Sequence, residues 1–256
     1  IEEPFKFMPD LIGVIDEIAF EDMIKNGFDK NKLIITGQPY FDGLNDFKLS
    51  FTQQDNEFLR SQFNLSVDDY LVTFYSQARK KYIREHKDTD NGYDEIVVLG
   101  KLEEALSEMK INGLRLLVKL HPEEDVEETK GAFRGNLNGV IFNKDYRDIK
   151  RLSFISNLVT GMFSTCLVEA VYLDKDVVSI QPNLIGEDVL STNRMGLSVP
   201  VYREEDLKPT LEKVIHDYSY RQELRQRRSK ILLDGRSTQR VVSSLYKLLN
   251  VPSYTT

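Results

Sequence analysis

The sequence predicts an α/β fold built on a doubly wound parallel sheet, and two observations carry that prediction. Apolar runs bounded by turn signals alternate with amphipathic stretches along nearly the whole chain, the pattern of repeated strand–helix units. The runs themselves, such as RLLVKL at 115–120 and DVVSI at 176–180, are almost continuously aliphatic or β-branched, as strands covered on both faces are. With 256 residues and 41% hydrophobic content, the chain can bury one large core or two modest ones.

In chain order, LIGVID (11–16) reads as a strand, 17–26 as a helix stopped by Gly27, and KLIITG (32–37) as a second strand. The turn-rich QPYFDGLNDF (38–47) reads as a linker, after which YLVTFYSQ (70–77) opens a new series. The charged stretch 78–93 contains an Asn91-Gly92 turn and is expected to be a surface loop. Ile96, Leu99, Leu102, Leu106 and Met109 follow a helical period and predict a helix over 94–110. Then come strand 114–120, helix 123–134, strand 139–142, helix 146–154, strand 157–160, helix 165–173 and strand 176–180. STNRMGLSVP (191–200) is expected to begin as a loop, LSVPVY (197–202) is a last short strand, and two or three helices fill 204–249. Residues 1–45 are therefore expected to be the end of one unit plus a linker, a partial βαβ piece, and 46–256 a complete doubly wound domain.

Composition removes several functions. The net charge of −7 lacks the clustered basic excess of a nucleic-acid binder. The one dense basic run, RQELRQRRSK (221–230), is either a solvated helix face or a contact for an anionic surface or partner. A single cysteine, Cys166, excludes an internal disulfide framework and fits a reducing compartment. No apolar run approaches the ~20 residues of a membrane span and no secretory signal stands at the start, so a cytoplasmic location is expected. The first residue is not methionine, which predicts a fragment of a longer protein.

In an open α/β sheet, ligands sit beyond the carboxyl ends of the strands, near the point where strand order reverses. His121 ends the strand LRLLVKL, where its imidazole can donate to a phosphate oxygen or bond a loop carbonyl. Pro122 fixes the backbone beyond it, and the acids that follow suit the first turn of a helix and need no catalytic role. In GMFSTCLVEA (161–170), Ser164 or Thr165 can cap the next helix, whose free N–H groups form an anion site or serve capping alone. Glu169 either reaches a ribose hydroxyl or faces solvent, and Cys166 is either an activated thiol or a small buried filler. Ser76 and Gln77 after one strand, and Gln181 after another, are placed to frame a base or sugar. Arg194 either clamps a phosphate or is a surface arginine. There is no G-x-x-x-x-G-K-[ST] loop and no G-x-G-x-x-G after a strand. His86, His121 and His216 lie far apart without cysteine partners, so no zinc site is expected.

The succession of PDLIGVIDEIAFEDMIKNGFDKNKLIITGQPYFDGL, LVKLHPEED, NLVTGMFSTCLVEAVYLDKDVVSIQP and RMGLSVPVY resembles the second half of GT-B glycosyltransferases and their relatives. TGQPYFD looks like the junction at which such chains leave an N-terminal Rossmann-like domain for the nucleotide-sugar-binding one. Within that superfamily, a His-Pro after one strand and a Ser-Thr pair before a later helix is similar to bacterial sialyl-, polysialyl- and Kdo transferases. There these groups contact the phosphate of a CMP-sugar. The resemblance implies that role for His121, with Pro122 beside it, and for Ser164 and Thr165. Capsule-related glycerophosphotransferases share the pattern, which brings in CDP-linked donors. UDP-N-acetylglucosamine 2-epimerases have a related fold, but their Ser-Gly-Gly run is here MFSTCLVEA. The sialyltransferases carry their general base as an acidic pair followed by glycine, whereas Asp16-Glu17 is followed by Ile18. The base is therefore expected outside this sequence.

These readings converge on a glycosyltransferase of cell-surface or capsule polysaccharide synthesis. It would take a nucleotide-sugar donor, CMP-linked by preference, and a glycan acceptor, with no metal or other cofactor, at the inner face of the membrane or beside an assembly partner. The alternatives are a 2-epimerase-like isomerase and a non-catalytic nucleotide-sugar-binding module.

Overall fold

In the computed structural model, residues 7–86, 92–135, 139–229 and 234–250 are described. They group into two compact units, Ile1–Leu49 with Ile231–Thr256, and Ser50–Lys230.

The larger unit is a parallel six-stranded sheet. Its strands are β3 (Tyr70–Tyr75), β4 (Leu114–Lys119), β5 (Ile141–Asn143), β6 (Leu158–Gly161), β7 (Val177–Ile180) and β8 (Val199–Val201), preceded in the chain by β1 (Ile12–Val14) and β2 (Leu33–Ile35). They lie in the order β5-β4-β3-β6-β7-β8, with every neighbouring pair parallel. The chain thus winds outward from β3 to one edge and then returns to build the other, so the order reverses between β3 and β6. At that seam Gly161 pairs with Tyr75, and a Cβ at Gly161 would stand 2.9 Å from the Tyr75 carbonyl oxygen. Only glycine lets the strands meet so closely there.

Side-chain alternation along β3 assigns the covering layers. Val72 and Phe74 enter the main core with Leu116, Val118 and Leu158 and with apolar residues of α5 (Glu95–Glu108) and α10 (Leu207–His216), including Leu102, Leu106, Leu211 and Val214. Thr73 and Tyr75 point to the other face, where their hydroxyls meet Ser156 and Ser153, each at 2.7 Å, at the end of α7 (Ile149–Ile155). Helices α3 (Gln53–Ser61) and α8 (Thr165–Tyr172) pack beside α7 on that face.

The predicted strands and the helices over 94–110, 146–154 and 165–173 all form, with ends shifted by no more than three residues. Four passages depart from expectation. The stretch 78–93 contains α4 (Arg79–Glu85), and 191–200 begins with α9 (Ser191–Arg194). The linker passage runs into α2 (Leu44–Ser50), and α3 follows, started by a Thr52–Asp55 capping box. The helix expected over 123–134 begins only at Val126, giving α6 (Val126–Ala132).

In the smaller unit, β1 and β2 pair in parallel around α1 (Glu17–Lys25). The sequence placed every helix of 204–249 with the larger domain. Helix α11 (Tyr218–Arg228) does belong there, but α12 (Ser237–Leu248) groups with the smaller unit. Asp42 accepts the N–H groups of Ser237 and Thr238 at 2.8 and 2.7 Å, and Arg240 donates to the Thr36 carbonyl. No helix among the described residues is long and apolar enough to cross a membrane.

Candidate functional site

The strand ends at the reversal of order open on a cavity of about 540 Å³. Gln77 reaches it from the end of β3, His121 from that of β4 and Phe163 from that of β6, while Arg79, Lys81, Tyr82 and Glu85 of α4 form a wall and Glu123 adds a second acid. The Gln77 amide oxygen accepts the N–H of Phe163 at 2.9 Å, fastening the two loops across the seam.

His121 is exposed at the cavity edge. Its Nδ1 accepts the N–H of Glu123 at 3.3 Å, so the proton of the neutral ring sits on Nε2, the nitrogen left to donate. Two cations share the cavity lining with it. The Arg79 guanidinium lies 4.9 Å from the Tyr93 ring centroid and 5.7 Å from that of Phe163, with Nε donating to the Tyr93 carbonyl. Lys81 pairs with Glu123 at 3.1 Å, an exposed contact that holds its ammonium form above the usual lysine range. Beneath them Lys119, at the last position of β4, is buried and donates to the carbonyls of Leu120 and Lys144. Burial pulls its pKa down.

Ser164 caps α8, its hydroxyl accepting the Cys166 N–H at 3.2 Å, and Thr165 is exposed as the first helical residue. Both follow Phe163 directly, but neither lines the cavity. The remaining candidates sit elsewhere or are already engaged. Ser76 is buried and donates to Glu124 at 2.7 Å. Pro122 is exposed as the second residue of a turn closed from Glu124 N–H to the His121 carbonyl. Glu169 is buried in α8 and does not face solvent. Gln181 is fully buried, its amide nitrogen donating to Ser179 and Asp188, so it frames no open site. Arg194 pairs with Glu187 at 3.7 Å and does not line the cavity. Burial raises the Cys166 thiol above its ordinary value, which fits a filler and not an activated nucleophile.

Sequence reasoning passed over Lys81, Tyr82 and Glu124. The first two lay in a stretch read as loop, and the third looked like one acid among several. Among the described residues, no group of three or more His, Cys, Asp or Glu side chains is placed to hold a metal ion.

A doubly wound parallel sheet with a partly aromatic crevice, lined by both cations and acids, at its switch point defines the class: a Rossmann-like, GT-B-type domain. Residues 19–247 match the family described as CDP-glycerol:poly(glycerophosphate) glycerophosphotransferase, and the chain belongs to that family. Solved structures share the fold at low identity. The UDP-GlcNAc 2-epimerase from Neisseria meningitidis bound to UDP-GlcNAc is similar at 14% identity and TM-score 0.66, over 93% of this chain and 62% of that one. The S. aureus MnaA–UDP structure is similar at 15% and 0.66, over 97% and 64%. The wall teichoic acid polymerase TagF is similar at 13% and 0.59, over 94% and 58%. The chain thus spans less than two thirds of the length of each of these structures. A search of curated proteins found no sequence match.

Proposed function

We propose that this chain binds a CDP-linked polyol donor, CDP-glycerol by family, and acts in the transfer of its polyol phosphate to a growing cell-surface polymer. The supporting observation is the convergence of the His121 Nε2–H with the Arg79 and Lys81 cations on one cavity at the switch point. This preference for CDP replaces the CMP-linked sugar favoured by sequence, because the family description specifies a glycerophosphate donor.

In such a transfer an acceptor hydroxyl attacks the β-phosphorus of the donor. The bond from that phosphorus to the bridging oxygen breaks, and CMP leaves with the electron pair. The hydroxyl proton passes to a base that we place outside these strand ends. The residues described here act on the donor side. His121 donates to the leaving phosphate, the two cations offset its growing charge, and the α8 N-terminus adds N–H groups near Ser164 and Thr165. Fixed donors in a partly enclosed crevice need no reorganisation as that charge develops.

Calorimetric titration with CDP-glycerol, CDP, CMP and UDP tests this reading. CDP-glycerol and CDP should bind in preference to UDP, and His121→Ala should weaken binding by roughly 10- to 100-fold, the loss of one charge-assisted hydrogen bond. A preference for UDP would favour the epimerase-like alternative, which otherwise rests on shared fold alone. Donor binding without transfer in the presence of acceptor would leave a binding module.

A further inference from the structure

Glu124 occupies the point where three strand ends meet. It is buried, at 6% exposure, and lies ahead of α6, whose N-cap is Asp125. One carboxylate oxygen accepts the Ser76 hydroxyl at 2.7 Å and the other accepts the His121 N–H at 2.6 Å. Its own N–H donates to the His121 carbonyl at 3.0 Å, and its carbonyl accepts the Lys144 ammonium at 2.6 Å. The loops after β3, β4 and β5 are therefore tied through one side chain and its peptide groups. Two of these four bonds fall on His121, whose main chain is held at both its N–H and its C=O.

The ring of His121 depends on the same turn. Its Nδ1 accepts from Glu123 N–H, so the tautomer that leaves Nε2–H free requires Glu123 to keep its place between His121 and Glu124. Opening the Glu124 side-chain bond leaves the turn held by its single main-chain bond, and so loosens the group that selects the tautomer. A carboxylate taken out of water is expensive unless its oxygens are bonded. Burial raises the Glu124 pKa, opposed by the His121 and Ser76 bonds. An ordinary acid of a helix first turn would be solvated and would make none of these contacts.

We propose that Glu124 is a positioning residue that fixes the orientation and tautomer of His121 for the donor phosphate; this rests on the donor-binding reading of the crevice. Glutamine at 124 can keep both contacts, its amide oxygen accepting from His121 N–H and its amide nitrogen donating to a reoriented Ser76 hydroxyl. Alanine keeps neither.

The experiment is a double-variant cycle read by calorimetry with CDP, with thermal unfolding followed in parallel. Glu124→Ala should lower CDP affinity roughly tenfold, a loss comparable to one hydrogen bond to a charged ligand. Glu124→Gln should recover most of that loss, and in the His121→Ala background Glu124→Ala should have almost no further effect. An undiminished loss in that background, or failure of Gln to recover affinity where Ala folds, overturns the proposal. A second readout is independent of nucleotide. The ¹⁵N shifts of the His121 ring, assigned by their absence in His121→Ala, should show Nε2–H in the native chain and in Glu124→Gln. Glu124→Ala, or Ser76→Ala if the former does not fold, should show a mixed tautomer; an unchanged ring in a folded variant of either kind overturns the proposal. If the native chain binds no cytidine nucleotide, the donor reading fails and the ring shifts still decide the role of Glu124.

Discussion

Glu95, the first residue of α5, keeps a carboxyl group where ionisation is opposed. It is 5% exposed, and its Oε2 accepts the Lys80 N–H at 2.8 Å. Burial lifts its pKa from 4.5 to about 6, outweighing that bond, and Glu124 and Asp94 add to the rise. Because the folded pKa is the higher one, the stabilising contribution is complete below 4.5 and is lost as pH climbs through about 6. A shift of that size corresponds to about 2 kcal/mol at most. Glu95→Gln, which still accepts from Lys80, should therefore be more stable than the native chain at pH 7 by up to about 2 kcal/mol and equal to it near pH 4. Urea unfolding across that range checks this, and parallel stability curves for the two chains would refute it. His121 stood out in the sequence because an imidazole at the end of an apolar run can reach beyond the strand end, to a ligand or to a loop carbonyl. Glu124 was not, because an acid next to other acids carries no local mark of burial; only the fold brings Ser76 against it.

Among the elements, the sheet strands announce themselves through unbroken apolar runs, and α5 through its period. Helix α4 does not, since none of its residues is buried and so no apolar stripe marks it. Its place is held instead by ion pairs to the segment around α6, Lys80 with Glu128 and Lys81 with Glu123. Helix α11 shows the opposite failure. Its basic run read as either a solvated face or an anionic contact, yet Arg228 is only 4% exposed, bonded to Asp176 at 3.1 Å and to the Leu197 carbonyl at 3.0 Å. Removing one member of a buried pair is costly, but Arg221 and Arg225, each 4.0 Å from Asp176, offset part of the charge left behind, so Arg228→Ala should lose about 3 kcal/mol. Arg227 reaches Gly196 only at 3.5 Å from an exposed position, so Arg227→Ala should change stability by less than about 0.5 kcal/mol. Chemical denaturation of the two variants separates a structural arginine from a surface one, and equal losses would mean that Asp176 finds its compensation elsewhere.

At the scale of the whole molecule, the two units differ in how they are written into the chain. The smaller is discontinuous: Asp42 caps α12 from 195 and 196 residues away. Burial opposes ionisation of Asp42, but the N–H groups of Thr238 and Ser237 outweigh it and hold its pKa at about 2. A contact of such separation leaves no local pattern, which is why α12 was assigned to the wrong side of the boundary. The larger unit is one uninterrupted stretch, Ser50–Lys230. It contains its own core, all six strands of the main sheet, and every residue proposed to meet the donor, from Arg79 to Thr165. Its sheet and both covering layers are complete without the discontinuous partner, so residues 50–230 produced alone should unfold in one cooperative transition. They should bind CDP within about threefold of the full chain, a difference of less than about 1 kcal/mol. Calorimetry on both chains checks this. A folded 50–230 chain that had lost CDP binding, while the full chain kept it, would show that the crevice at the β3–β6 seam is not sufficient to hold the donor.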